Sequence, residues 1–191
     1  MFKIAALISG GGSNLQSVID AIEKKDLPAE IGIVISDREA AGLERAGKYG
    51  IPCRLLNRKD YGNTLSDEIL KIIPADTDLI LLAGYLSILS REFIEKWQRR
   101  IINIHPSLLP DFGGKGMYGM KVHQAVLQAS RKESGCTVHY VDSGIDTGNI
   151  LGQKTVPVLP DDTAEQLQNR VLIQEHILVV ESIRKIIKNK Q

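Results

Sequence analysis

Asp78-Leu79-Ile80-Leu81-Leu82-Ala83 is an unbroken apolar run behind a single acid. A short run with no polar alternation predicts a strand in the middle of a parallel sheet, covered on both faces. Upstream, strand-like runs at 3–8, 31–36 and 52–56 alternate with helical segments at 14–25, 42–49 and 64–73. In the first helix Leu15, Val18, Ile19 and Ile22 share one face. Downstream come a helix over 90–97, with Ser90 as its N-cap, and a strand over 100–104. This rhythm predicts an α/β protein: a Rossmann-like, three-layer α/β/α arrangement around a mostly parallel mixed sheet.

Past residue 110 the rhythm changes. A glycine-rich loop at 113–119 precedes a helix over 122–130. Runs at 137–141 and 150–157 then lie close enough for an antiparallel pair. A long helix follows from Asp162 or Thr163, where Thr163 and Gln166 have capping-box spacing. With no repeat, low-complexity tract or linker in view, residues 1–191 read as one domain.

Composition narrows the partners. Charged residues make up 25% of the 191 and the net charge is +1, so no field favours nucleic acid or a membrane surface. Cys53 and Cys136 are too few for a disulfide framework, lack metal-ligand spacing, and read as thiols in a reducing compartment. The N-terminal apolar run stops short of a signal peptide, and nothing reaches the ~20 apolar residues that span a bilayer. A cytoplasmic protein without a metal is expected.

Ligand sites of open α/β sheets lie beyond the carboxyl ends of the strands. Three loops fall there: 9–14, 84–89 and 103–110. In the first, Ser9-Gly10-Gly11-Gly12-Ser13-Asn14 joins a strand to a helix. Glycines admit an anion to the backbone and the helix start offers free N–H groups, which suits a phosphate. A dinucleotide is a second guest, since Asp37 imitates a ribose-binding acid; Leu15, however, stands where that fingerprint needs a third glycine. A tight turn without ligand is the third reading.

The third loop carries the chemistry, in Asn103-Ile104-His105-Pro106-Ser107-Leu108-Leu109-Pro110, with Asp146 in Gly144-Ile145-Asp146-Thr147-Gly148. Two residues apart on extended backbone, Asn103 and His105 point to one side. An amide can polarise a carbonyl, an imidazole can move a proton near neutral pH, and a carboxylate can orient or recharge that imidazole. Neither Ser nor Cys sits in an elbow-like setting, so a covalent acyl-enzyme is not expected. His123 reads as decoration of its helix. His139, interrupting an apolar run, is either a satisfied core histidine or a participant. On the last helix Leu167, Val171 and Leu178 form a stripe bordered by Gln174 and Glu175. A carboxylate there needs a partner, either a substrate amine or hydroxyl, or a salt bridge.

Taken together, the segments 8–16, 82–90, 103–110, 137–141, 146–148 and 174–176 resemble the folate-dependent phosphoribosylglycinamide formyltransferase family of the formyltransferase superfamily. The resemblance runs in order from residue 1 to about residue 187. It implies transfer of the formyl group of 10-formyltetrahydrofolate, a co-substrate, to the amine of 5-phosphoribosylglycinamide (GAR) in purine synthesis. It implies Asn103, His105 and Asp146 as the catalytic set, and Gly12, Ser13, Asn14, Gln174 and Glu175 for GAR. For folate it implies Leu86, Ser87, Ile88, Leu89 and Asn103, with Asp142, Ser143, Gly144, Ile145 and Asp146. Monomer and homodimer both stay open.

The chain departs from the family pattern at Leu86-Ser87, where many members have Met-Arg, and in the loop at 112–119, where Lys115 could supply a missing charge. Two sister activities, 10-formyltetrahydrofolate hydrolysis and methionyl-tRNA formylation, are expected to bring a further domain before or after this one. The chain opens at its first strand and closes on its last helix, which disfavours both.

Overall fold

The computed structural model describes residues 1–190. Seven strands form one sheet in the order β3-β2-β1-β4-β5-β6-β7. They are β1 (Phe2–Ile8), β2 (Ala29–Ser36), β3 (Cys53–Leu55), β4 (Leu79–Leu82), β5 (Ile101–His105), β6 (Glu133–Tyr140) and β7 (Ile150–Pro157). The pairs β1/β2, β1/β4, β2/β3 and β4/β5 are parallel, and β6/β7 is antiparallel. The expected mixed, mostly parallel α/β fold is therefore present. Contacts gather into two compact units, Met1–Asn103 and Ile104–Lys190.

In the first unit, β4 is buried at all four positions, as its apolar run requires. Helix α1 (Ser13–Glu23) turns Leu15, Val18 and Ile19 inward, and α2 (Ala41–Gly47) follows β2. A short helix absent from the sequence reading, α3 (Arg58–Tyr61), is started by Asn57, whose side chain accepts from Lys59 N at 3.1 Å. Helix α4 (Leu65–Ile72) comes next. Helix α5 (Arg91–Lys96) begins as expected, with Ser90 Oγ accepting from Phe93 N at 3.2 Å.

In the second unit, α6 (Met120–Gln128) and α7 (Ala164–Lys190) accompany the β6/β7 pair. The capping box is realised in both directions. Thr163 N donates to Gln166 Oε1 at 2.8 Å and Gln166 N donates to Thr163 Oγ1 at 3.2 Å. Leu167, Val171, Leu178, Val179 and Ile183 bury the inner stripe of α7. Strand β6 starts four residues earlier than its pattern suggests, because Ser134 and Gly135 lie buried against β7. At Gly135 a side chain would run into the Lys154 carbonyl, so the close approach of the two strands excludes every other residue. Among the described residues, no helix is long and apolar enough to cross a membrane.

Candidate active site

The switch in strand order falls between β1 and β4, each parallel to the other but followed by strands on opposite sides. Their carboxyl-end loops meet there, in the first unit. Ser9 Oγ, after β1, accepts from the Leu86 N–H after β4 at 2.8 Å. Gly12 is the N-cap of α1 with φ of 72°, and a Cβ at this position would sit 2.9 Å from Gly42 Cα. No side chain caps the first turn of α1. A left-handed glycine before an uncapped helix start is the geometry an oxyanion group such as phosphate needs.

The same unit disfavours a dinucleotide. Leu15 is completely buried where a third glycine would have to be. Asp37, also completely buried, is already engaged: Arg38 Nε and Nη2 donate to it at 2.8 and 2.9 Å, and Ser87 Oγ donates to it as well. Burial alone would raise its carboxyl pKa, but hydrogen bonds from Arg38, Ser87 and Ser9 outweigh that and hold it below the ordinary value. Ser87, one of the residues that depart from the family pattern, thus ties the β4 loop to the end of β2. On that loop Leu86 and Ile88 are exposed, whereas Leu89 turns into the core.

In the second unit the structure brings His105 and Asp146 together. His105, 4% exposed at the end of β5, has Nδ1 3.5 Å from Asp146 Oδ2. Its other nitrogen, Nε2, lies 2.9 Å from the Phe112 carbonyl. A carbonyl oxygen only accepts, so Nε2 carries the hydrogen and Nδ1 of the neutral ring presents its lone pair toward Asp146. Asn103 stands two residues earlier on the same strand.

The loop after β5 is firmly fastened. Thr137 Oγ1 donates to Ser107 O at 2.6 Å and accepts from Leu109 N at 3.1 Å and Gln153 Nε2 at 2.9 Å. Ser107 Oγ donates to Asp111 O at 2.6 Å, and the Leu109-Pro110 bond is cis.

Asp146 serves more than one partner. Its Oδ2 accepts from Gly114 N at 3.0 Å, and its Oδ1 lies 3.5 Å from His139 Nε2. Burial raises its pKa, yet His139, the neighbouring His105 and the Gly114 N–H together pull it below the ordinary value. Burial pushes His105 down, and wins over the opposing pull of Asp146 and Phe112. The pair at neutral pH is therefore a neutral imidazole beside a carboxylate, able to take up one proton between them. Asp142 shapes the adjoining turn: its Oδ1 accepts from Gly144 N at 3.0 Å and Thr147 Oγ1 at 2.6 Å. Ser143, Gly144 and Ile145 are exposed around it.

One reading needs correcting. His123 does not decorate α6; it is 1% exposed, and its Nδ1 has no hydrogen-bond partner. Burial first, and the nearby His105 second, push its pKa down to about 4. The signal was present in Val122 and Val126, which place position 123 on the apolar arc of its helix. His139 is 2% exposed and its Nδ1 meets Tyr140 O at 2.9 Å, so it is a buried histidine that also faces Asp146. On α7, Glu175 is buried within the stripe while Gln174 is only half-buried. Burial, followed by the Glu175 charge, raises the neighbouring Cys136 thiol to about 12. Both cysteines are free thiols.

Residues 2–183 match the family model described as formyl transferase. The chain belongs to the formyl transferase family. A chloroplastic phosphoribosylglycinamide formyltransferase from Vigna unguiculata is 44% identical over 192 residues, covering 98% of this chain and 62% of that protein. The trifunctional purine biosynthetic protein adenosine-3 from Bos taurus is 46% identical over 180 residues, covering 91% of this chain and 17% of that protein. The chain thus spans less than two thirds of these curated relatives. The crystal structure of a phosphoribosylglycinamide formyltransferase from Brucella melitensis superposes with a TM-score of 0.88 at 44% identity. It covers 97% of this formyl transferase chain and 95% of its own.

Proposed function

We propose that this formyl transferase moves the formyl group of 10-formyltetrahydrofolate to the glycinamide amine of GAR. The products are formyl-GAR and tetrahydrofolate, a step of de novo purine synthesis. The observation that carries the reading is the His105–Asp146 pair beside Asn103, on a strand end of a chain whose relatives bear this activity in their names. In this reading residues 1–191 work as one formyltransferase domain in the cytoplasm, with no metal, nucleic acid or membrane as partner.

The amine nitrogen attacks the formyl carbon, and the carbonyl π pair moves onto oxygen. Asn103 donates to that oxyanion without carrying a charge. The proton leaving the amine passes to the His105–Asp146 pair, where Nδ1 offers its lone pair and the carboxylate stabilises the resulting imidazolium. The positive charge that His105 gains in this way stabilises the oxyanion electrostatically. As the oxyanion collapses, the bond from carbon to N10 breaks and N10 takes the proton held by the His105–Asp146 pair, which returns the pair to its starting state. Covalent attachment to the enzyme is not required. Gly12, Ser13 and Asn14 hold the phosphate end of GAR, with Gln174 and Glu175 at its ribose and amine. Leu86, Ser87, Ile88 and Leu89, with Asn103 and the Asp142, Ser143, Gly144, Ile145 and Asp146 turn, serve the folate.

The test is a formyl-transfer assay with GAR as acceptor on the wild type, His105→Ala and Asp146→Asn. Each variant is expected to lose at least ~10²-fold in kcat, the usual scale for a general acid–base group. Formate release without formyl-GAR would point instead to hydrolysis, and full activity in both variants would overturn the roles.

A further inference from the structure

The His105 tautomer depends on one carbonyl, that of Phe112, and this carbonyl is held in an unfavourable place. Phe112 has φ of 54°, the left-handed region that bulky residues avoid. Something must keep it there. Ser107 Oγ grips the preceding Asp111 carbonyl at 2.6 Å, and the Asp111 N–H donates to Leu108 O at 3.1 Å. Side chains supply the rest. Arg131 Nη2 donates to Asp111 Oδ2 at 2.6 Å, while the same guanidinium lies over the Phe112 ring at 5.6 Å. One planar cation thereby clasps two successive residues of the turn, as a guanidinium can and an ammonium cannot do as well.

The clasp borders an open cleft of about 510 Å³ lined in part by Asp111, Phe112, Val126 and Arg131. Without Arg131 the Phe112 ring has space to swing into, and its peptide can relax out of the left-handed region. The carbonyl would then leave His105 Nε2.

We propose that Arg131 is a positioning residue for catalysis: through Asp111 and Phe112 it holds the carbonyl that fixes the tautomer of His105. Arg131 never touches substrate. It acts by keeping the Nδ1 lone pair of His105 turned toward Asp146 and the transferred proton. Because the Arg131 and Asp111 side chains are about half exposed, at 52% and 53%, the pair is open to screening by salt. The kinetic part of the proposal rests on the formyl-transfer reading; the tautomer part does not.

The experiment uses the full chain as wild type, Arg131→Ala, Arg131→Lys and Asp111→Ala. Nitrogen NMR of the His105 ring is expected to show the Nε2–H form in the wild type and a mixture with Nδ1–H in Arg131→Ala. In the formyl-transfer assay, Arg131→Ala and Asp111→Ala should each lose about 3- to 10-fold in kcat, with KM for both substrates within twofold. The acid limb of the pH–rate profile should move to lower pH, since the Phe112 contact favours protonated His105. Arg131→Lys should restore part of the loss, and the double alanine variant should lose no more than either single one. An unchanged tautomer in Arg131→Ala overturns the proposal. So does a fall in kcat that only follows a loss of folded protein, with the acid limb unmoved. A wild type without formyl transfer, but with the tautomer shift intact, would count against the activity and leave the clasp standing.

Discussion

Acidification from pH 7 to pH 5 should destabilise this protein through His123, and replacing His123 with Met should remove that sensitivity. In the folded chain the imidazole is 1% exposed, with its pKa pushed from 6.5 down to about 4, so it stays neutral. In the unfolded chain it titrates normally. Between these two values the unfolded state binds more protons, so stability is complete above the unfolded pKa and falls as pH drops. Integrating that difference from pH 7 to pH 5 gives a loss of about 2 kcal/mol. His105 is shifted in the same direction and adds to the loss in both proteins. Asp37 and Asp146 lie below their ordinary value of 3.8, so their contribution is lost only at still lower pH. Urea unfolding at the two pH values measures the effect. The wild type is expected to lose about 2 kcal/mol more than His123→Met over this interval. Equal losses in the two proteins would refute the assignment of a buried neutral His123.

Other consequences can be measured one by one. Gly12→Ala should raise KM for GAR and cost about 1–2 kcal/mol, since alanine must adopt the left-handed conformation and meet Gly42; unchanged binding would argue against a phosphate at this turn. Gly148→Ala would drive a methyl into the Tyr140 carbonyl and displace the Asp146 turn, so both melting temperature and kcat should fall. Lys115→Ala, in the exposed glycine-rich loop, should raise KM for one substrate and leave folding untouched. NAD(H) should give no thermal stabilisation, because Asp37 is committed to Arg38 and Ser87.

Much of the first unit was legible because its signals are local. The apolar run of β4, the Ser90 cap and the glycine turn after β1 each act within a few residues. Capping of α7 by Thr163 and Gln166 is equally short-range, and it appears as expected. Signals set by tertiary contact were hidden. The start of β6 is polar and glycine-containing, and is a strand only because β7 lies against it. Pairing of His105 with Asp146 was anticipated, but the Phe112 carbonyl and the Gly114 N–H are backbone groups without a side-chain signature. The inward turn of Leu89 and the burial of His123 depend on helix and loop rotation, which sequence spacing constrains only loosely.

Asp146 sits at φ of 59°, where most L residues are strained and aspartate and asparagine are the tolerated side chains. Backbone and chemistry therefore select from different menus at one position. Alanine or glutamate there would change the shape of the turn as well as its charge, and the two losses would be inseparable. Asparagine keeps the backbone of the turn, removes the charge, and turns one of the two oxygens that face Gly114, His105 and His139 into a donor. Of all substitutions at this position, it is the one whose kinetics are least mixed with a change in backbone shape.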